Sequence, residues 1–291
     1  MRARTKGGIK TRLERSVTTR KPTSWNTRLT FHLPLALFLT FTLVPFYWMF
    51  VFAFRADGST LPFPFPFTFD HLYTAWNDLG FSVFFGNSVI VAICTFFFTV
   101  VVALLVGYAL ARYKFRGSKP LLIGLLATQF VPGAMLLIPL FLIFRQLGLI
   151  DNLLALIIAD TVFMIPLCAI LMSNFIRNIP IEIEEAAWID GCTRRQAFLA
   201  VVLPLLRPAI VATGSFAFIG AWNNFLFALM FMNSADGFTL PVGISFAIGT
   251  DSADFGALAA GGLIAALPVV VVFAFVQRFL IQGASAGAIK G

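Results

Sequence analysis

"IPIEIEEAAWIDGCTRRQAFLAVVLPLLRP", from Ile179 to Pro208, decides how the rest of the chain is read. It gathers Glu182, Glu184, Glu185 and Asp190 beside Arg194 and Arg195, in a sequence otherwise poor in charge. Pro180 suits the first turn of a helix, where a missing N–H costs nothing. Glu182, Glu184 and Glu185 then fall in that turn, where the helix dipole favours acids. Gly191 follows about three turns on and can end the helix in a left-handed conformation. Thr193-Arg194-Arg195-Gln196 has the form of a capping box, opening a second helix that runs to Pro204. Two short helices joined by a glycine turn are therefore predicted. Ala186 and Ala187 are expected to present a low, flat face, and Ala197, Phe198, Ala200 and Val201 an apolar one. Such a knob suits a groove in another protein. By pattern alone it also suits a helix resting on lipid or a solvated loop, but the connection is longer than most.

On both sides of this stretch the chain is lipid-soluble. Of 291 residues, 59% are hydrophobic and 12% charged, and Phe occurs 35 times; a soluble domain is about a quarter charged. A spanning helix needs about 20 mostly apolar residues. Six windows qualify, roughly 31–54, 83–111, 121–144, 152–173, 208–232 and 257–281. Helices are expected because a backbone in lipid must satisfy its own hydrogen bonds. The first window is longer than a signal-peptide core and is read as a retained helix. Pro132, Pro139 and Pro166 interrupt windows three and four, with no clear mirror in the others and no internal repeat. The predicted architecture is all-α and polytopic: a basic tail over 1–30, then six spans over 31–291, with the charged loop at about 177–207.

Lys and Arg set the orientation. The tail carries Arg2, Arg4, Lys6, Lys10, Arg12, Arg15, Arg20, Lys21 and Arg28. Arg112, Lys114, Arg116 and Lys119 follow window two; Arg177, Arg194, Arg195 and Arg207 follow window four; Arg278 and Lys290 close the chain. With six spans all of these share one face. The other face has Arg55 and Arg145 against Asp57, Asp70, Asp78, Asp151, Asp236, Asp251 and Asp254. Both termini are therefore expected in the cytoplasm. The net charge of +8 is then explained by topology and anionic lipid rather than nucleic acid. Segment 55–82 is expected outside, its Phe-Pro alternation barring a helix. It reads as an extended interfacial linker with Tyr73 and Trp76 among headgroups, or as a docking surface for an external partner.

Cys94, Cys168 and Cys192 show neither metal spacing nor a pairing pattern. His32 and His71 are far apart and lack a plausible nucleophile at depth, so metal and catalytic sites are not expected. Asp160 is the costliest residue, since an Asp at mid-span costs about 2.5–3.5 kcal/mol on insertion scales. At 1.5 Å per residue it lies about 12 Å below the outer surface, with Asn223 and Asn224 in the same outer half and Trp222 adjacent. Gln129 lies nearer the cytoplasm. Carboxylates, amides and an aromatic face suit a sugar; the same groups can instead hydrogen-bond between helices.

Glu185-Ala186-Ala187, then Gly191, then Val201, Leu203 and Pro204, resemble the EAA loop of bacterial ABC importer permeases, with Val201 for the usual Ile. "GYALARYKFRG" (Gly107–Gly117), "GAWNNFLFAL" (Gly220–Leu229), "GASAGAIKG" (Gly283–Gly291) and "FTFDHLY" (Phe67–Tyr73) are similar to further segments of sugar permeases. The likeness covers about residues 30–291 and is closest to the MalG-like half of the carbohydrate uptake family. Asn224 departs from it, standing where an acid is common. The resemblance implies the type I importer fold, half of a transmembrane pathway, and an EAA coupling helix docking into an ATPase subunit. It also implies the partners: two ABC ATPase subunits, a homologous permease, an extracytoplasmic solute-binding protein, and a carbohydrate as solute. The chain lacks G-x-x-x-x-G-K-[ST], so it is expected to bind no cofactor itself, ATP and Mg being held by the partner ATPase. Two rivals stand beside this reading: an ion-coupled secondary transporter using Asp160, and a scaffold without a pathway.

Overall fold

Long apolar runs become helices here because a helix satisfies its backbone polar groups within one segment, as lipid requires. The computed structural model describes residues 25–248 and 254–288, with side chains over 30–248 and 254–278. The basic tail before Trp25, the Arg28 side chain, Asp251 and Lys290 lie outside the described residues. In chain order the helices are α1 (Trp25–Phe54), α2 (Asp70–Tyr73), α3 (Phe81–Arg112), α4 (Ser118–Thr128), α5 (Leu137–Gln146), α6 (Leu153–Arg177), α7 (Ile181–Ile189), α8 (Arg194–Ala197), α9 (Leu203–Leu205), α10 (Arg207–Trp222), α11 (Leu226–Phe231), α12 (Leu240–Ile248) and α13 (Phe255–Ala288). Among the described residues the only β pairing is an isolated bridge between Arg55 and Phe67.

The chain divides into two compact units, Met1–Trp48 and Met49–Gly291. The described part of the first is the leading length of α1, whose Phe31, Phe38 and Phe41 are exposed, as lipid-facing side chains are. In the second unit α3, α6 and α10 pack on one another, with α13 against α10 and α12 against α3. The inner face of α3 carries Ser88, Ala92, Thr95, Thr99, Ala103 and Gly107, all buried. Small residues at this spacing let helices approach closely. At Gly107 an added Cβ would meet the Ser173 nitrogen at 2.9 Å and the Ala169 carbonyl at 3.1 Å, so α3 and α6 touch backbone to backbone.

Four of the six windows are single helices long and apolar enough to cross a membrane: Thr30–Phe54, Phe81–Arg112, Leu153–Arg177 and Phe255–Arg278. Pro166 lies within α6 and does not break it, contrary to the sequence expectation. The third window does break, bending 92° between Ser118–Thr128 and Gly133–Gln146. Pro132 sits at the break with extended ψ (127°), having no N–H to continue the helix. The fifth window ends its first helix at Trp222 and restarts at Leu226. Asn side chains compete for the backbone at that break. The Asn223 amide donates to the Ile219 carbonyl at 2.9 Å, and Asn224 Oδ1 accepts from the Phe227 N–H at 3.1 Å, capping α11. Helix α12 lies between windows five and six, where no element was predicted; it buries Leu240 and Val242.

Segment 55–82 is not simply extended. The Phe-Pro run has no helix, but Asp70–Tyr73 and Thr74–Asp78 coil into short turns. The loop closes on itself, Ala56 N–H donating to the Pro66 carbonyl and Thr68 N–H to the Phe54 carbonyl. Phe63, Phe65, Phe67, Phe69, Tyr73 and Trp76 are left exposed.

Candidate functional site: a capped charged knob and a polar cavity at the helix breaks

The knob is built from its caps. Pro180 stands at the N-cap of α7 with ψ 135°, one residue before the helical position expected for it. At the far end the Gly191 N–H donates to the Trp188 carbonyl (3.1 Å) and the Cys192 N–H to the Ala187 carbonyl (3.0 Å). Gly191 has φ 90°, so the left-handed turn read from the sequence is present. The capping box is present too: Thr193 Oγ1 accepts from the Gln196 N–H, and Gln196 Oε1 from the Thr193 N–H at 2.8 Å. The second arm runs on through a π-turn at Phe198–Val202 and ends at Leu205, then turns 73° into α10. The Arg194 guanidinium lies over the Trp188 ring at 5.3 Å and ties the arms together.

The faces differ from expectation. Ala186 is exposed and Ala187 buried, so the pair does not make one flat face. Ala197 is buried and Ala200 exposed, splitting the expected apolar face likewise. Ala186 and Ala187 are consecutive and so about 100° apart on their helix, which divides that pair; Ala197 and Ala200 are three apart, and the π-turn at Phe198–Val202 intervenes. On its first arm the knob exposes Glu182, Ile183, Glu185, Ala186, Asp190 and Ile189, the last 86% accessible. Of the remaining predicted coupling residues, Leu203 is half-buried and Pro204 exposed, while Val202 and Leu206 pack against Met172 and Ile176 of α6.

Glu184 was missed as anything but a surface acid. It is 1% exposed, and both its oxygens are engaged. Oε1 accepts from Arg112 Nε at 2.6 Å and Oε2 from the Tyr108 hydroxyl at 2.7 Å. The signal was available: Glu184, Ala187 and Trp188 share one face by i, i+3, i+4 spacing, and that face turns to the bundle.

The second constellation lies at membrane depth. Asp160 is 3% exposed; Asn224 Nδ2 donates to its Oδ1, while Oδ2 has no partner among the described residues. Asp160, Asn223 and Asn224 border one cavity of about 380 Å³ with Gly133, Gly220 and Phe227. Gly133 comes from the break in the third window and the asparagines from the break in the fifth, so both interruptions open on the same space. Two predicted members do not join. Trp222 is buried on another side, donating from Nε1 to the Ala265 carbonyl at 3.1 Å and stacking on Phe218. Gln129 is exposed at the end of α4. The aromatic surface at the cavity is instead Phe163 and Phe227, with ring centroids 5.1 Å apart.

His71 is 4% exposed and sits in segment 55–82 beside Asp57 and Asp254. Its Nδ1 faces Asp254 at 3.3 Å, while Nε2 lies 3.0 Å from the Arg55 carbonyl and 3.6 Å from Asp57. The two nitrogens turn to different partners. The group joins the loop to the start of α13 and also brings one ligand atom from each of Asp57, His71 and Asp254 within 4.8 Å of the others, a spacing that could hold a metal ion and that the distance between the histidines in sequence did not suggest.

Apolar helices that break where their loose ends border a polar cavity are the construction of a transport permease. The comparisons agree. The chain belongs to the binding-protein-dependent transport system inner membrane components, whose family model matches residues 103–285; it is a multi-pass permease of the ABC importer class. It is 34% identical over 252 residues to the diacetylchitobiose uptake system permease protein DasC of Streptomyces coelicolor, covering 85% of this chain and 91% of that protein. It is 34% identical to the inner membrane ABC transporter permease protein YcjP of Escherichia coli (91% and 97% covered). To the trehalose transport system permease protein SugB of Mycobacterium tuberculosis it is 35% identical (88% and 95% covered). In fold it matches a chain from a bacterial ABC transporter involved in import of the acidic polysaccharide alginate, with TM-score 0.77 at 21% identity, covering 89% of this chain and 99% of that one.

Proposed function

We propose that this chain forms half of the transmembrane pathway for a carbohydrate and that its knob, Ile181–Leu205, is the coupling element on which an ATPase subunit acts. The observation that carries this reading is the knob itself. Two capped helices meet at the positive-φ Gly191 and present an exposed tip of Glu185, Ala186 and Ile189. A charged rim around an apolar point suits a cleft in a soluble partner. Glu185 contacts the ATPase, and Ala186 leaves room for its approach; Ala187, Gly191, Leu203 and Pro204 hold the knob's shape.

The carbohydrate assignment is supported by relatives named for diacetylchitobiose, trehalose and arabinooligosaccharides. It is also supported by the cavity: a carboxylate and two amides supply acceptors and donors for hydroxyls, and Phe163 and Phe227 supply apolar faces for CH groups. Asp160, Asn223 and Asn224 are the pathway residues of this reading; Trp222 braces α10 against α13 beside them. The working assembly contains two ATPase subunits holding ATP and Mg, a homologous permease and an external binding protein. The basic faces put both termini in the cytoplasm. ATPase closure moves the knob, and the bundle rocks between inward-facing and outward-facing states. Affinity purification in mild detergent tests this: an ATPase and a second permease should accompany the chain. Recovery of the chain alone from native membranes, with solute uptake intact, refutes the assembly.

A further inference from the structure

The knob is joined to the bundle by more than its covalent ends. Arg112 and Tyr108 lie one turn apart at the end of α3 and hold both arms. Arg112 Nε reaches Glu184 Oε1 at 2.6 Å, and its Nη2 reaches the Ile179 carbonyl at 2.9 Å, at the entrance to α7. The Tyr108 hydroxyl donates to Glu184 Oε2 at 2.7 Å, while its ring packs edge-on against Phe198 of the second arm, centroids 4.9 Å apart. The base beneath is stiff. Arg177 Nη2 donates to the Leu110 carbonyl, and α3 meets α6 backbone to backbone at Gly107.

We propose that Glu184, Arg112 and Tyr108 form the joint through which displacement of the knob is passed to α3, an inference that rests on the coupling reading above. Covalently the knob continues only into α6 and α10. Transmission to α3 has to cross a non-covalent contact, and among the described residues this is the charged one. A buried ion pair adds little stability over an apolar pair of similar volume. What it adds is direction. Charge-assisted bonds at both carboxylate oxygens fix the angle of α7 against α3, where an apolar contact slides. The far end of α3 is held as well: Ser88 Oγ accepts from the Leu240 N–H, and the Asn87 amide donates to the Asp236 and Phe238 carbonyls. Motion of α3 therefore reaches the external face. These are positioning residues; none borders the cavity at Asp160.

The test separates direction from stability. In the assembled transporter, Glu184→Met with Arg112→Met keeps volume and apolar packing but removes the directed bonds. We expect wild-type membrane abundance, thermal midpoint and bound ATPase, ATP hydrolysis within about twofold, and solute uptake per ATP lowered by about tenfold, a usual size for coupling between sites. Tyr108→Phe, which loses one hydroxyl, should lower uptake per ATP by about threefold and add nothing when Glu184 and Arg112 are already replaced. Unchanged uptake per ATP in the double Met variant overturns the proposal, as does loss of ATPase binding, which would make the triad only a support for the knob's shape. If the double variant fails to accumulate, Tyr108→Phe decides alone, and unchanged uptake per ATP overturns it. A wild-type chain that binds no ATPase refutes the coupling reading instead, so the two failures are distinguishable.

Discussion

Asp160 and Asn224 are 64 positions apart in sequence and in direct contact in the structure. Depth counting placed them in the same leaflet half, but counting could not say which way either side chain faced. The cost of a carboxylate in lipid explains why Asp160 needs a donor; the Asn224 amide is that donor, and its carbonyl caps α11 as well. Asp160→Asn should leave abundance near wild type while changing flux with solute concentration, because shape is kept and charge lost. A fall in complex yield with unchanged flux per complex would make Asp160 a tie between helices instead. Asp151 acts locally. Its Oδ1 accepts from the backbone N–H of Ser234, then of Asn233, and from the Ser234 hydroxyl, and these bonds hold its carboxyl below the ordinary range. A carboxyl depressed on folding stabilises above its unfolded pKa of about 4, and the contribution is lost as pH falls below that. Asp151→Ala should lower the thermal midpoint at pH 7 by a few degrees, and the gap to wild type should narrow towards pH 3; a gap independent of pH would contradict the assignment.

Among elements, the knob was the most legible. Caps, dipole-matched acids and a glycine turn are local signals, and local signals survive in a single sequence. Its faces were less legible, because the split between Ala186 and Ala187, and the burial of Glu184, depend on what α3 offers across the gap. The broken windows were half legible. Pro132 marked one break; the other is made by Asn223 and Asn224, whose side chains bind local backbone, a feature hydropathy averages away. Helix α12 escaped because nine residues are too few for a spanning window. Gly191→Asp should strain the turn by roughly 1 kcal/mol or more, since φ is positive, and add charge beside Asp190. Normal membrane abundance, weakened ATPase co-purification and lost uptake are expected, with a milder loss for Glu185→Ala. Equal retention of the ATPase by wild type and both variants would remove the knob from the interface.

At the scale of the molecule, charge asymmetry between the two faces predicts the topology. Cysteines introduced in the Phe-Pro stretch at Phe63 or Phe65 should react with an impermeant thiol reagent from outside intact cells, and cysteines at Ile189 only after the inner face is opened. The reverse pattern would invert the chain. Four of the six windows hold as single helices long enough to span, and windows three and five divide around the cavity. Such breaks give the bundle joints, and joints are what an externally driven change of access requires. The most direct measurement is solute uptake into proteoliposomes carrying the purified assembly, with the binding protein on one side and ATP on the other. Uptake should require ATP on the face that carries the knob, persist when the proton gradient is dissipated, and disappear in Gly191→Asp. Uptake driven by a proton gradient without ATP, and indifferent to Gly191→Asp, would contradict the account.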